Sequence, residues 1–410
     1  MVGAREQLEI IRSGTSEIIP EDELARKLDR SVQTGKPLRV KQGFDPTAPD
    51  IHLGHAVGLR KLRQFQDLGH TIVLIVGDYT GMVGDPSARS ATRPRLTHDQ
   101  VMEHARTYLD QFFRILDRDR TEVRRNGEWF SAMSFEAVMD LAARFTVARV
   151  LERDDFEKRF SEKKPISLHE LFYPIMQGYD SVQIQSDVEI GATEQKFNLL
   201  VGRQLQTEFG QEPQIILTLP VLVGTDGTNR MSKSLGNYVG ITEAPGMMFG
   251  KVMSIPDSLI LHYYTLTTNL SPAELRSIEE RLKGPGSNPR DLKADLAETI
   301  VGLYHGSQEA RSAREEFDRI FRDGGVPDQV PELRLAAPAD GLWVVQLLAE
   351  AGLVPSRGEA RRMVRQGAVS VDGVNVSEED ARILLSPHEA RLVRVGRRRF
   401  ARVRALEPMK

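Results

Sequence analysis

A short segment near the start of the chain carries residue types that bind nucleotide phosphates. It reads HLGH from His52 to His55, and Thr47 stands shortly before it. The imidazoles and the hydroxyl can donate hydrogen bonds, and Gly54 has no side chain to keep a ligand away from the backbone. The same spacing also fits half of a metal site, or two histidines that only cap a helix. This segment alone leaves all three interpretations open.

A second segment, RMSKS at residues 230–234, supplies positive charge. Arg230 and Lys233 are spaced so that both could contact one polyphosphate, although a lysine between serines is often only solvated. The two segments, in this order and about 175 residues apart, are far more specific together than either one alone. They predict a site in which the two motifs hold the polyphosphate of a nucleotide from opposite sides.

The elements around the first segment predict a parallel β-sheet. The apolar run Leu38 to Val40 is predicted to be a strand, and a helix with one apolar face is predicted to follow HLGH. The run TIVLIV, from Thr71 to Val76, is typical of a parallel strand that is covered on both faces. Strand, helix and strand form a βαβ unit, which binds ligands at the carboxyl ends of its strands. Asp45, HLGH and residues 78–85 all fall at that edge.

A later segment places three polar side chains on one face of a predicted helix that begins at Ser167. Tyr173, Gln177 and Asp180 are four and seven positions apart within an apolar stretch. A hydroxyl, an amide and a carboxylate on one face could recognise a small polar ligand. From spacing alone, a satisfied polar network in the core or a subunit contact explains them equally well.

Length and composition indicate a globular protein of two or three domains. The chain has 410 residues, 28% of them charged, and no apolar run near the ~20 residues that span a membrane. Cysteine is absent, which excludes disulfides, a thiol nucleophile and cysteine-ligated metal sites. Residues 351–410 carry 13 Lys+Arg against 7 Asp+Glu, and the rest of the chain carries 42 against 51. This balance predicts a polyanionic partner for the tail, although a chance excess of arginine on a solvated face would look the same.

The two motifs resemble the signatures of the class I aminoacyl-tRNA synthetases, which are usually written HIGH and KMSKS. The surrounding sequence is similar to the bacterial tyrosyl-tRNA synthetases of that class, from about Leu38 to Phe400. It includes GDYTGMVGDPS, YPIMQGYD and GATEQKFN, which begin at Gly77, Tyr173 and Gly191. The resemblance implies an α/β fold: a Rossmann-like catalytic domain with a parallel sheet, then an α-helical domain and a small α+β RNA-binding domain.

The resemblance also implies a ligase reaction in two steps. ATP activates L-tyrosine to tyrosyl-adenylate and pyrophosphate, and the tyrosyl group then passes to the 3′ end of tRNA(Tyr). The first step needs alignment and charge stabilisation rather than a protein nucleophile, because the attacking carboxylate is already ionised. Mg²⁺ would arrive with the ATP, and no metal bound by the protein itself is expected.

Site residues follow from the positions that match the family motifs. The resemblance implies that the catalytic residues are Thr47, His52, His55, Arg230 and Lys233. It implies that ATP is bound by Gly43, Asp45, Gly54, Glu194, Met231, Ser232 and Ser234. It implies that the α-ammonium of tyrosine is held by Asp85, Tyr173 and Gln177, with Gln195 nearby. Asp180 would read the phenol hydroxyl and reject phenylalanine, an effect for which tyrosyl-tRNA synthetases are themselves the usual example.

Three positions depart from the family pattern. Lys41 stands where many members have a tyrosine that contacts the substrate hydroxyl, so Asp180 is expected to act with another group. Glu194 replaces an aspartate, and its longer side chain could still reach the ribose of ATP. Arg230 replaces a lysine, which keeps the charge but changes the geometry.

The end of the chain resembles the RNA-binding domain named after small-subunit ribosomal protein S-four. An arginine-rich helix is predicted to precede residues 369–376, VSVDGVNV, which alternate around a hairpin turn at Asp372 and Gly373. Such a helix beside a hairpin suits the phosphates of structured RNA. The residues expected to bind tRNA are Arg357, Arg361, Arg362, Arg365, Arg397 and Arg398.

The motifs also set the expected domain boundaries. Residues 1–235 are assigned to the catalytic domain with a helical insertion, 236–325 to the α-helical domain on the anticodon side, 326–341 to a linker and 342–410 to the RNA-binding domain. A homodimer is implied by the resemblance alone. The charged N-terminus without a signal-peptide core, together with the absence of cysteine, fits a cytoplasmic protein that does not enter membranes.

Three other functions explain part of the sequence. A tryptophanyl enzyme of the same class shares both motifs, but it normally lacks the RNA-binding domain and offers Asp180 no phenol. A small nucleotidyltransferase shares only the first motif and needs neither RMSKS nor the long chain after it. An inactive RNA-binding protein descended from a synthetase would have no need for His52 and Lys233.

Overall fold

The structure is a computed structural model that describes residues 2–46, 51–85, 97–321, 325, 330–396 and 399–406. Its contacts divide the chain into two units, Met1–Ala310 and Arg311–Lys410.

The first unit alternates strands and helices. Its strands are β1 (Glu17–Ile19), β2 (Arg39–Phe44), β3 (Thr71–Val76), β4 (Thr121–Arg125), β5 (Val188–Ala192) and β6 (Ile215–Leu219). Its helices are α1 (Ala4–Arg12), α2 (Glu21–Thr34), α3 (Leu53–Asp67), α4 (Thr80–Val83), α5 (His98–Phe112), α6 (Gly127–Phe130), α7 (Phe135–Ala142), α8 (Val147–Leu151), α9 (Asp154–Ser161), α10 (Leu168–Ile184), α11 (Lys196–Glu208), α12 (Pro245–Met253), α13 (Ile260–Thr267), α14 (Pro272–Lys283) and α15 (Pro289–His305). Helix α16 (Ser307–Phe321) crosses the boundary between the units. Short 3₁₀ turns cover Arg118–Arg120, Thr193–Gln195, Lys233–Leu235 and Asp257–Leu259.

One six-stranded sheet organises the first unit, in the order β1-β6-β5-β2-β3-β4. The pairs from β6 through β4 are parallel, and β1 joins the edge of β6 in the antiparallel direction. The predicted α/β fold with a parallel sheet is therefore confirmed. Sequence patterning missed β1, because three residues at an edge are too few for periodicity to mark.

Strand β2 is longer than the apolar run that predicted it. It continues to Phe44 because it pairs with β3 along its whole length, from Arg39 opposite Thr71 to Phe44 opposite Val76. Lys41 and Gln42 hid this extension, since a central strand is expected to be apolar. Lys41 nevertheless points into the core, where its side chain is fully buried.

The parallel strands deliver the motifs to a common edge. Asp45 follows β2, Asp78 follows β3 and Glu194 follows β5, while RMSKS lies in the loop after β6. Helix α10, which begins after the capping residue Ser167, packs against α11 and carries Tyr173, Gln177 and Asp180. This is the arrangement in which doubly wound sheets bind ligands.

Helices α12 to α15 follow the sheet without a break in compactness. The first unit extends to Ala310, and α13 packs against α3. The boundary expected at residues 235–236 therefore lies inside one compact unit and stays a prediction.

The second unit is a small α+β domain. Its elements are β7 (Glu332–Leu335), β8 (Leu342–Trp343), α17 (Val344–Glu350), α18 (Arg357–Arg365), β9 (Val369–Val371), β10 (Val374–Asn375), β11 (Arg382–Ile383), β12 (Arg391–Val395) and β13 (Arg399–Ala405). The main sheet runs β10-β9-β12-β13-β7, and the predicted hairpin turns at Asp372 and Gly373, both with positive φ.

The segment expected to be a linker needs a correction. Residues 332–335 form strand β7, which pairs in parallel with β13. The glycines and prolines around it gave the segment the composition of a linker. Tertiary pairing with a distant strand overrides that composition.

Candidate active site

The first motif lies at the start of α3. His52 precedes the first helical residue, and its ring stacks on that of His55 with the centroids 3.8 Å apart. The backbone around His52 pairs with residues 239–241: the Leu53 amide donates to the Val239 carbonyl at 2.9 Å, and the Ile241 amide donates to the Ile51 carbonyl at 3.1 Å. These hydrogen bonds connect the HLGH motif to residues 239–241, which follow the RMSKS motif in the sequence.

Gly54 lets the two motifs approach each other. A Cβ atom at this position would lie 3.0 Å from the His52 ring and 3.5 Å from Cβ of Met231. Any larger residue would therefore crowd the His52 ring, and its Cβ atom would be in van der Waals contact with Met231 of the RMSKS loop. The glycine was predicted to admit a ligand, and the structure adds a packing reason for it.

The loop with the second motif is held by the side chain of Asn237. The Asn237 amide oxygen accepts from the Ser232 backbone at 2.8 Å, and its nitrogen donates to the Arg230 carbonyl at 3.0 Å and to Asp226 at 2.9 Å. Hydrogen bonds from Asn229, Thr228 and Asn237 lower the pKa of Asp226 to about 2, so this anchor stays charged. Asn237 was not among the predicted site residues.

The two motifs line one cavity of about 390 Å³. The predicted residues on its wall are Gly43, Asp45, His52, Gly54, His55, Asp85, Tyr173, Glu194, Gln195, Arg230, Met231, Ser232 and Lys233. Gln42 and Tyr108 also line it and were not predicted. Ser234, Gln177 and Asp180 are not on this wall. Thr47 lies outside the described residues.

Both histidines are neutral near pH 7. Burial, then the neighbouring His55 and Lys233, lower the pKa of His52 to about 2. The ring of His55 is exposed on its cavity side, but desolvation by the surrounding wall and the Lys233 charge lower its pKa to about 4. The imidazoles can thus donate hydrogen bonds, while Arg230 and Lys233 supply the positive charge of the two motifs.

Acidic and amide groups form a second cluster on the cavity wall. The Tyr173 hydroxyl donates to Asp45 at 2.9 Å, and the Thr80 hydroxyl donates to the other oxygen of Asp45 at 2.8 Å. Asp85 accepts from Gln195 at 3.4 Å and pairs with Arg153 at 3.3 Å. Burial and the charges of Asp45 and Asp85 raise the pKa of Tyr173 well above its usual range, so it remains a phenol.

Glu194 and Arg230 form an ion pair across the cavity, at 3.2 Å. Both residues depart from the family pattern. Because arginine reaches further than lysine and glutamate further than aspartate, the two substitutions are complementary in this structure.

Asp180 lies deeper than the cavity wall and is 3% exposed. The Trp129 indole donates to one of its oxygens at 3.0 Å, and the Asn126 amide donates to the other at 3.4 Å. Burial raises its pKa to about 7, against the opposing effects of Lys41, Asn126 and Trp129. These two donors hold the Asp180 carboxylate; Trp129 lies in α6 and Asn126 immediately before it, and neither was among the predicted site residues.

The arginines predicted to bind RNA lie in the second unit. Arg357, Arg361, Arg362 and Arg365 are all exposed on α18. Arg361 and Arg365 pair with Glu379, and Arg362 pairs with Glu359 at 2.7 Å. Arg397 and Arg398 lie outside the described residues. A bound phosphate would have to compete with these carboxylates for three of the four described arginines.

The described part of the chain contains neither a metal-binding cluster nor a membrane-spanning helix. No group of three or more His, Asp or Glu side chains there could hold a metal ion. None of the helices described is long and apolar enough to cross a membrane.

Comparison with known proteins matches both units of the chain to known families. A family model described as tRNA synthetases class I (W and Y) matches residues 33–322, and one described as the S4 domain matches residues 342–382. The chain is 51% identical to the tyrosine–tRNA ligase of Moorella thermoacetica over 397 residues, which cover 97% of this chain and 95% of that protein. It is 49% identical to the tyrosine–tRNA ligase of Thermotoga maritima, and the match covers 99% of both chains.

Solved structures agree on the fold. A C-terminally truncated mitochondrial tyrosyl-tRNA synthetase of Aspergillus nidulans aligns with a TM-score of 0.64 at 22% identity, over 78% of this chain and 95% of that one. The tyrosyl-tRNA synthetase of Archaeoglobus fulgidus, solved with L-tyrosine, aligns with a TM-score of 0.60 at 22% identity, over 76% of this chain and 99% of that one.

Proposed function

The chain belongs to the tyrosine–tRNA ligase family of class I aminoacyl-tRNA synthetases, and from that premise we propose how its residues divide the reaction. The protein is an ATP-dependent ligase for tyrosine and tRNA. It activates L-tyrosine with ATP to tyrosyl-adenylate and pyrophosphate, and it then transfers the tyrosyl group to the 3′ end of tRNA(Tyr). The observation that carries the division of roles is the single cavity lined by both HLGH and RMSKS.

The nucleotide occupies that cavity in our proposal. Lys233 and Arg230 stabilise charge on the leaving pyrophosphate, and His52 and His55 donate hydrogen bonds as neutral imidazoles. Thr47 is the fifth catalytic residue in this proposal. Gly43, Asp45, Gly54, Glu194, Met231, Ser232 and Ser234 form the remaining ATP contacts. Mg²⁺ arrives bound to ATP, and its charge adds to that of the two cations.

Tyrosine lies beyond the nucleotide. Asp180 accepts from the phenol hydroxyl, because its own donors, Trp129 and Asn126, hold it in place without using its full acceptor capacity. Asp85, Tyr173 and Gln177, with Gln195, hold the ammonium group. Phenylalanine is rejected because it lacks the hydroxyl, so the remaining acceptor position of the buried carboxylate stays without a donor.

An amino-acid-resolved exchange assay tests the proposal. Purified protein should exchange label between pyrophosphate and ATP when tyrosine is added and not when tryptophan or phenylalanine is added. Exchange driven equally by tryptophan would contradict the substrate assignment. No exchange with any amino acid, in protein that still binds tRNA, would favour the inactive RNA-binding alternative.

The second unit binds tRNA in our proposal. Phosphates of the tRNA are contacted by six arginines: Arg357, Arg361, Arg362, Arg365, Arg397 and Arg398. The domain boundaries expected from the sequence are retained, except that β7 is assigned to the RNA-binding domain. A cytoplasmic location is part of the proposal, because ATP and tRNA are found there together.

We also propose that the chain acts as a homodimer. Large apolar side chains are exposed along residues 135–168, between α7 and the start of α10; they are Phe135 (80% exposed), Met139 (52%), Val147 (63%), Phe160 (66%) and Leu168 (79%). Such a concentration of exposed apolar surface is typical of an interface, and a second copy of the chain is the partner expected from the family.

Sedimentation tests the dimer. The wild-type chain should sediment as a dimer, and Phe160→Glu should shift it toward the monomer because a buried charge opposes association. Leu406→Glu, which changes an exposed apolar residue of the second unit, is the control and should leave the dimer intact. A wild-type monomer at micromolar concentration would contradict the proposal.

A further inference from the structure

Lys41 is completely buried at the centre of the sheet, and its amine is fully used by the protein. It donates to the backbone carbonyl of Gln177 at 2.9 Å and to the Ser181 hydroxyl at 2.8 Å, and it pairs with the Glu189 carboxylate at 2.9 Å. An ammonium has three donors, so none is left for a substrate. Lys41 therefore does not replace the hydroxyl contact that a tyrosine makes in many family members.

Glu189, on the neighbouring strand β5, is equally buried and collects several donors. Besides Lys41, it accepts from the Gln177 amide at 3.1 Å, the Ser181 hydroxyl at 3.1 Å and the Gln214 amide at 2.5 Å. Gly202 on α11 backs this group closely: a Cβ atom there would lie 2.6 Å from the Gln214 amide and 3.2 Å from Glu189. Any side chain at residue 202 would therefore displace the network.

The network fixes which end of the Gln177 amide faces each neighbour. Its nitrogen donates to Glu189, and its oxygen accepts from Asn198 at 2.8 Å. A carboxylate only accepts hydrogen bonds, so an ionised Glu189 excludes the opposite orientation of the amide. The oxygen of Gln177 keeps one lone pair available.

We propose that the buried Lys41–Glu189 pair is a positioning device for the amino-acid substrate: it holds the Gln177 amide with its oxygen available to the ammonium group of tyrosine. This inference rests on the proposed function, in which Gln177 contacts that ammonium. Lys41 acts through Glu189, and neither residue touches the substrate.

The charge of Lys41 is required because Glu189 has no access to water. Without its partner, a fully buried carboxylate takes up a proton, and the resulting hydroxyl can donate to the oxygen of Gln177. The amide would then turn and present its NH₂ group to the substrate's ammonium, which cannot accept a hydrogen bond. The loss concerns a hydrogen bond to a charged group, so tyrosine affinity should fall by about 10- to 100-fold.

Binding of two ligands to one pair of variants tests the proposal. The first ligand is tyrosine, and the second is 3-(4-hydroxyphenyl)propionate, which is tyrosine without its amino group. Lys41→Met/Glu189→Leu removes both charges and the acceptor for Gln177, whereas Lys41→Met/Glu189→Gln keeps a neutral acceptor oxygen. Replacement of a buried ion pair by apolar residues is often neutral for stability, and Lys41→Met/Glu189→Met serves if the first variant does not fold.

The matched control is another buried lysine, which does not line the cavity. Lys27 on α2 is 2% exposed and donates to Asp187 at 3.3 Å. Lys27→Met should change thermal stability and leave the dissociation constants of both ligands as in the wild type. It separates a general effect of losing a buried lysine from the effect of losing Lys41.

The expected result is a split between the two ligands. In Lys41→Met/Glu189→Leu, tyrosine should bind at least about tenfold more weakly, while the ligand without an amino group stays within about twofold of the wild type. The glutamine variant should recover most of the tyrosine affinity. Equal weakening of both ligands, or no change in tyrosine binding, would overturn the inference. A wild-type protein that does not bind tyrosine would overturn the proposed function and this inference with it.

Discussion

Single residues in this site act through fixed charge and fixed hydrogen-bond direction. The two histidines have pKa values of about 2 and about 4, so neither supplies charge near neutral pH. Lys233 lines the cavity beside them. In our proposal, charge that develops on the pyrophosphate during adenylate formation is therefore stabilised by Lys233 and Arg230 rather than by the imidazoles.

Lys233→Ala should slow adenylate formation by about 10²- to 10³-fold, the usual effect of removing one such group. The dissociation constant for tyrosine should be nearly unchanged, because the proposal assigns Lys233 to ATP, the other substrate. Rapid-mixing measurement of the first turnover separates the two quantities. Lys283→Ala, in an exposed lysine of α14, is the control. A variant with weakened tyrosine binding and a normal rate would show that the loop has a different role.

The buried carboxylate of Asp180, which we propose to bind the phenol of tyrosine, should lower the stability of the folded protein. Burial raises its pKa from 3.8 to about 7, so the folded protein binds a proton at this site that the unfolded chain releases near pH 4. Folded stability is therefore lost as the pH rises from about 4 to about 7, and the cost remains above pH 7. Asp180→Asn removes this cost, and its stabilising effect should exceed about 1 kcal/mol at pH 8 and shrink toward pH 4.

Thermal unfolding of the wild type and Asp180→Asn at pH 5 and pH 8 measures this difference, and tyrosine binding measured alongside it should be weaker in the variant. An equal difference in melting temperature at both pH values would mean that Asp180 is ionised throughout this range.

At the scale of elements, the side-chain amide of Asn237 holds the loop after β6 through hydrogen bonds. Asn237 joins Ser232, Arg230 and Asp226, and it is 4% exposed. Asn237→Ala would leave the backbone of the RMSKS loop without these bonds. Adenylate formation at saturating tyrosine should then slow by about tenfold, because the cations are less well aligned, while tyrosine affinity is retained.

Asn288→Ala is the comparison for this variant. Asn288 caps α15 through the Arg290 backbone and lies outside the loop, so its loss should change stability alone. If both asparagine variants slow the reaction equally, the effect is one of general stability, and the proposed role of Asn237 is wrong.

The strands and helices also show which parts of the fold could be predicted from the sequence pattern. The parallel strand Thr71–Val76 and the helix behind HLGH were predicted because their apolar residues face the core, where patterning is strongest. Strand β2 was predicted too short because Lys41 and Gln42 interrupt its apolar run. Trp129, Asn126, Glu189 and Asn237 were missed for a common reason. Their roles come from hydrogen bonds between distant segments, which leave no local pattern.

On the scale of the whole molecule, the chain divides into a unit that contains both motifs and a unit that contains the arginines proposed to bind RNA. A chain ending at Phe321 keeps the entire sheet of the first unit and removes β7 together with the sheet that it joins. It should retain tyrosine-dependent pyrophosphate exchange and lose charging of tRNA. Equal loss of both activities in a folded protein would mean that the second unit supports the first structurally.

The division of labour between the two motifs can be measured by a double-mutant cycle on adenylate formation. His52→Ala and Lys233→Ala, singly and together, give three losses in transition-state stabilisation from first-turnover rates. If HLGH and RMSKS act on one nucleotide in one cavity, the losses are coupled, and the double variant differs from the sum by at least about 0.5 kcal/mol. Losses that add within about 0.3 kcal/mol would place the two residues at independent sites and contradict the account.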